Sequence, residues 1–64
     1  TFKPGDTVHY APAHGKKENG VVKSMCEDGI HAFVVYHCGG EWHKFQDYTA
    51  ARTSIADLKE GWVN

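Results

Sequence analysis

The sequence predicts an all-β fold, and three observations carry that expectation. No segment of the 64-residue chain sustains a helical period over about ten residues. Its apolar residues fall instead in short runs rich in valine and aromatic rings, among them "GVVKSM" and "HAFVVYH". Those runs are punctuated by Pro-Gly, Asp-Gly and Gly-Gly pairs, the residues that preset or tolerate turn dihedrals.

Taken in order, "PGD" is a turn signal, and the first strand follows it over Thr7 to Tyr10, with Val8 and Tyr10 on one face and Thr7 and His9 on the other. "APAHGKKEN" is polar and unpatterned and reads as a loop. The second strand runs from Gly20 to Met25, and Asp28-Gly29 between two strand patterns signals a hairpin. The third strand, His31 to His37, is the most strongly marked. It sets Ala32, Val34 and Tyr36 on one face and His31, Phe33, Val35 and His37 on the other, so both faces are largely apolar. Phe33 and Val35 therefore need a cover, whether the loop that follows, the chain ends or a second protein, and the chain's own loop is the favoured one. "YTAART", Tyr48 to Thr53, suits a fourth strand. "SIADL" carries Ser before an apolar-polar mix with Asp three residues on, the start of a single helical or 3-10 turn. "KEGWV" closes as a fifth strand. One domain over residues 1–64 is expected, near the lower size at which a chain folds without staples.

Composition narrows the function. Hydrophobic residues at 41% and charged residues at 23% place the chain among folded globular proteins rather than disordered ones. Seven basic against eight acidic residues leave a formal charge of -1, which lacks the basic excess of a phosphate-dominated nucleic-acid binder. The first ten residues hold no apolar run of signal-peptide or membrane-spanning kind. Two cysteines do not make a disulfide framework, and a reducing cytosol is the expected compartment.

Five histidines and two cysteines are donors enough for a zinc site, but no C-x2-C or H-x3-H spacing occurs, and His37, Cys38 and His43 are the one close group. No metal and no cofactor is expected. With the hairpin at Asp28-Gly29, Cys26 lies beside the turn and Cys38 at the far end of the third strand, some 25 Å away at about 3.3 Å per residue. That is beyond the reach of a disulfide. Cys38 with His37 or His43 and Asp47 has the residue types of a nucleophilic triad, yet the chain is short of the concavity that would exclude water, and no enzyme activity is expected.

"FKPGDTVHY", "ENGVVKSM", "AFVVY" and "ARTSIADL" in this order resemble the small SH3-like barrels of the KOW and Tudor-like type, and in particular short proteins encoded by bacteriophages and prophages. The resemblance covers nearly the whole chain. It implies a five-stranded SH3-like barrel with one 3-10 turn before the last strand, and an accessory role. The chain is less basic than transcription-factor KOW modules, and it lacks the Val-Gln-Ile-Tyr strand of the plasmid-borne type II dihydrofolate reductases, whose activity is not carried over.

The remaining signal is the grouping of rings in "YHCGGEWHKFQDY". By resemblance, the connection after the third strand is where Tudor-like barrels form aromatic cages and peptide grooves, and rings supply contact area and hold cations. The favoured expectation is a non-enzymatic module that binds a host or phage protein through Phe33, Tyr36, Trp42, His43, Phe45 and Tyr48. The alternative is a nucleic-acid-binding barrel using Lys16, Lys17, Lys23 and Lys44 for phosphates. A third reading is a small oligomeric enzyme with its site between subunits. Trp62, in the last strand, completes the fold or marks a homodimer contact.

Overall fold

A computed structural model describes residues 2–63. The chain runs β1 (Thr7–Tyr10), β2 (Glu18–Met25), β3 (His31–Val35), a 3-10 helix η1 (Trp42–Asp47), β4 (Ala51–Ser54), a second 3-10 turn η2 (Ile55–Asp57) and β5 (Leu58–Glu60). All five strands form one antiparallel sheet in the order β4-β3-β2-β1-β5. The all-β expectation holds, with five strands and a 3-10 turn before the last. Bounds shift: β2 begins two residues earlier than "GVVKSM", β3 stops at Val35, β4 starts at Ala51 rather than Tyr48, and β5 ends at Glu60. η1 is an addition, since 3-10 turns leave no 3.6-residue pattern to detect. Gly39 and Gly40, at φ 61° and 83°, lead the chain into it, and Lys44, at φ -107° and ψ 25°, kinks it.

The hairpin forms where Asp-Gly predicts it. Gly29 takes φ 75°, and its N–H donates to the Cys26 carbonyl at 3.3 Å. Asp28 Oδ1 accepts from the backbone N–H groups of Ile30 (2.9 Å) and His31 (3.1 Å), so the aspartate holds its own turn.

The sheet is rolled. In a flat sheet of this order β4 and β5 would stand about 19 Å apart, whereas the four Cα steps from Ser54 to Leu58 reach at most about 14 Å. A bulge between Val22 and Ser24 adds local bend to β2. The expected barrel is nonetheless not closed by hydrogen bonds: β4 and β5 remain the two edges and form no ladder with each other among the described residues.

Inside the roll, Val8, Val22, Ala32, Val34 and Leu58 form the core, with Phe2, Tyr10, Met25, Tyr36 and Ile55 packed around it. The other face is buried as well. Val35 is 0% exposed, its cross-strand partner Val21 4% and Cys38 2%. The chain supplies its own cover here: η1 packs against β2, and residues 61–63 cross β1 and β2. Asn19 clasps Val63 through Nδ2 to its carbonyl (2.7 Å) and Oδ1 from its N–H (2.8 Å). The buried His9 donates from Nδ1 to the Gly61 carbonyl at 2.8 Å, an acceptor that fixes the proton on that nitrogen. Trp62 donates Nε1–H to the Gly20 carbonyl (2.8 Å) and packs against Trp42 with ring centroids 5.0 Å apart and planes tilted at 54°.

Candidate functional site

Where β3 ends at Val35 the chain leaves the ladder, and Tyr36 leans back onto the inner core. Its hydroxyl lies 2.9 Å from Thr53 Oγ1 on β4, and because Thr53 Oγ1 donates to the Ala51 carbonyl at 3.3 Å, Tyr36 is the donor in that pair. Burial pushes the Tyr36 phenol above its ordinary range, with the bond to Thr53 acting the other way. The Tyr10 ring meets it edge-on, centroids 6.3 Å apart and planes at 68°.

Two open cavities flank this ring. One, of about 430 Å³, is bounded by Tyr10, Glu18 and Asp57 on one side and by Tyr36, His37 and the β4 residues Ala51–Ser54 on the other. The second, of about 380 Å³, is lined by Val34, Tyr36, His37, Tyr48 and residues 49–51. Tyr36, His37 and Ala51 belong to both, so together they make one concave tract along the inner side of β4.

The six residues expected at a binding surface divide. Tyr36 and Tyr48 line the tract. Phe33, half-buried, alternates with Ala32 and Val34 and so lies on the other side of the sheet. Trp42 packs against the tilted ring of Trp62, and Phe45 sits beside Gly5, where an added Cβ would lie 4.0 Å from its Cζ. His43 is exposed on η1. The Tyr48 hydroxyl donates to Glu41 Oε1 at 2.9 Å, and that carboxylate raises the phenol's pKa. Sequence reasoning passed over Tyr10, Glu18 and Asp57, which complete the tract. Tyr10 carried a signal, alternating with the core residue Val8, but the rolling that brings β1 opposite β4 leaves no local trace.

Of the four lysines proposed for phosphate contact, Lys23 donates Nζ to the Tyr48 carbonyl at 2.8 Å, and Lys44 Nζ lies 3.5 Å from Glu41 Oε2. Lys16 and Lys17 are exposed in the loop between β1 and β2. Cys26 and Cys38 are free thiols, Cys38 buried and Cys26 partly exposed. His37 and His43, the bases nearest Cys38 in sequence, are both exposed while Cys38 is enclosed. Among the described residues no three His, Cys, Asp or Glu side chains gather as metal ligands, and no helix is long and apolar enough to cross a membrane.

At the turn between β2 and β3, Asp28 Oδ2 lies 2.7 Å from His31 Nδ1 and 3.0 Å from Arg52 Nη2. The backbone N–H of Ile30, then the His31 side chain and Arg52, hold the Asp28 carboxyl well below the usual carboxylate range. The same contact raises Arg52. Compared with known protein families, curated proteins and solved structures, the chain matches none.

Proposed function

We propose that this chain is a non-enzymatic interaction module that binds an extended segment of a partner protein in the tract centred on Tyr36. One observation supports the reading above others: two adjoining cavities of about 430 and 380 Å³ share Tyr36, His37 and Ala51, giving a continuous ring-lined concavity open to solvent. β4 borders it and is an edge strand, paired among the described residues with β3 alone, so main-chain groups of an extended peptide have a strand to lie beside.

This places binding on Tyr10, Tyr36 and Tyr48, with Trp42 and Phe45 as cover for the outer face. An accessory role inside a bacterial cell, in the phage or prophage setting the resemblance implies, belongs to the same reading. Enclosure of Cys38, while His37 and His43 are exposed, speaks against thiol catalysis, and the engagement of Lys23 and Lys44 leaves few cations for a phosphate backbone.

Selection from a random peptide library, with Ala51→Arg as control, tests the proposal. Ala51 is exposed and lines both cavities, so the arginine fills the tract without touching the core. Peptides enriched by the wild type and lost by the variant support the reading; no enrichment, or equal enrichment by both, overturns it. A single-stranded oligonucleotide bound tightly, with affinity falling steeply in salt, would favour the nucleic-acid alternative instead.

A further inference from the structure

We propose that the end of the tract bounded by Tyr10, Tyr36, Glu18 and Asp57 is a subsite for one cationic side chain, the lysine or arginine of the bound peptide. The inference rests on the interaction reading and adds the chemistry of what is recognised. Three features of the site converge on it. The Tyr10 and Tyr36 rings meet at 68° with centroids 6.3 Å apart, which makes a corner of two aromatic walls rather than a flat stack; a cation over a tyrosine face is attracted by the ring quadrupole. Glu18 and Asp57 carry the carboxylates of that same cavity, and among the described residues neither is in an ion pair. Arg52, the one arginine lining the cavity, turns its guanidinium away to Asp28 at the β2–β3 turn, with Nη2 3.0 Å from Oδ2.

The cavity therefore offers two negative charges and two ring walls, with its own fixed cation already committed elsewhere. An anionic or wholly apolar group would meet these carboxylates at a cost, whereas an ammonium or guanidinium would satisfy both and lay its methylene stem along the rings. Lys16 and Lys17 of the same chain precede Glu18 but are exposed and form no ion pair among the described residues.

The probes are three tripeptides, acetyl-Gly-X-Gly-amide with X lysine, arginine or citrulline, titrated into the isotope-labelled chain and followed by amide chemical shifts at 150 mM salt. Citrulline keeps the shape of arginine and removes its charge. Expected are saturable shifts centred on Tyr10, Glu18, Tyr36 and Asp57 for the two cationic peptides, at least about fivefold weaker binding of the citrulline peptide, and a further loss on Glu18→Gln with Asp57→Asn. Glu18 is an exposed strand residue, and among the described residues neither side chain takes part in a hydrogen bond of the fold, so the double variant should keep the wild-type spectrum elsewhere. Equal binding of citrulline and arginine, unchanged affinity in the double variant, or shifts spread over the exposed loop at 13–17 would each overturn the subsite. If library peptides bind in an Ala51-dependent way but carry no required cation, the subsite fails while the module stands. If the cationic tripeptides bind and no library peptide does, the module fails while the subsite stands.

Discussion

Arg52 on β4 reaches across to the turn between β2 and β3, where its Nη2 lies 3.0 Å from Asp28 Oδ2, and the same oxygen meets His31 Nδ1 at 2.7 Å. One carboxylate thus ties the hairpin's turn, through the Ile30 and His31 amides, to β4, one of the sheet's two edge strands. The folded-state pKa of Asp28 is lowered, so its contribution is complete above the ordinary carboxylate range and is lost as pH falls through that range toward the folded value. Thermal midpoints of the wild type and Asp28→Asn should therefore differ most near neutrality and converge below about pH 4. A gap that stays constant down to acid pH would show that the charge does not matter.

Gly20 illustrates a different constraint. A Cβ there would stand 2.7 Å from Val34 Cγ1, 2.8 Å from the Val35 carbonyl oxygen and 3.0 Å from Tyr36 Cδ1. Backbone cannot retreat as a flexible side chain can, so Gly20→Ala should lower stability by about 2 kcal/mol or more in urea denaturation. Gly29→Ala meets no neighbouring atom, and its cost should come from the φ of 75° alone.

Burial on both faces of β3 can be measured by a pair of substitutions. Val34 and Val35 are each 0% exposed and point to opposite sides. Val34→Ala and Val35→Ala should each cost about 2 kcal/mol. A Val35→Ala cost under about 0.5 kcal/mol, the range of ordinary surface changes, would mean that η1 and the C-terminal segment are not a lid.

Trp42 and Trp62, 5.0 Å apart and tilted at 54°, are close enough for their excited states to couple. Circular dichroism should show an exciton couplet that vanishes in both Trp42→Phe and Trp62→Phe. Trp62→Phe should also lose about 1 kcal/mol, because the Gly20 carbonyl loses its indole donor.

Much of this architecture was legible where the chemistry is local. Asp28-Gly29 announces its hairpin because only a few residues can hold that turn, and the apolar run through Val34 and Val35 announces a strand covered on both sides. What the chain covers that strand with was less visible. η1 has no period to read, and its rings looked like a binding surface because Trp42 and Phe45 are large and close to glycines. Their packing is set by Trp62 and Gly5, residues 20 and 40 positions away in sequence. The concave tract was half legible: Tyr36 and Tyr48 lie in the stretch that draws attention, whereas Tyr10, Glu18 and Asp57 reach it only because the sheet rolls.

A strand with one face in water has every second residue free of the core. β3 has no such side: Ala32, Val34 and Val35 are all enclosed, and Phe33 is half so. Sequence change in this chain should therefore be channelled into the exposed run at 13–17 between β1 and β2, which borders the Tyr10 and Glu18 end of the tract. The segment with most licence to vary is also the one beside the place where a partner would be chosen.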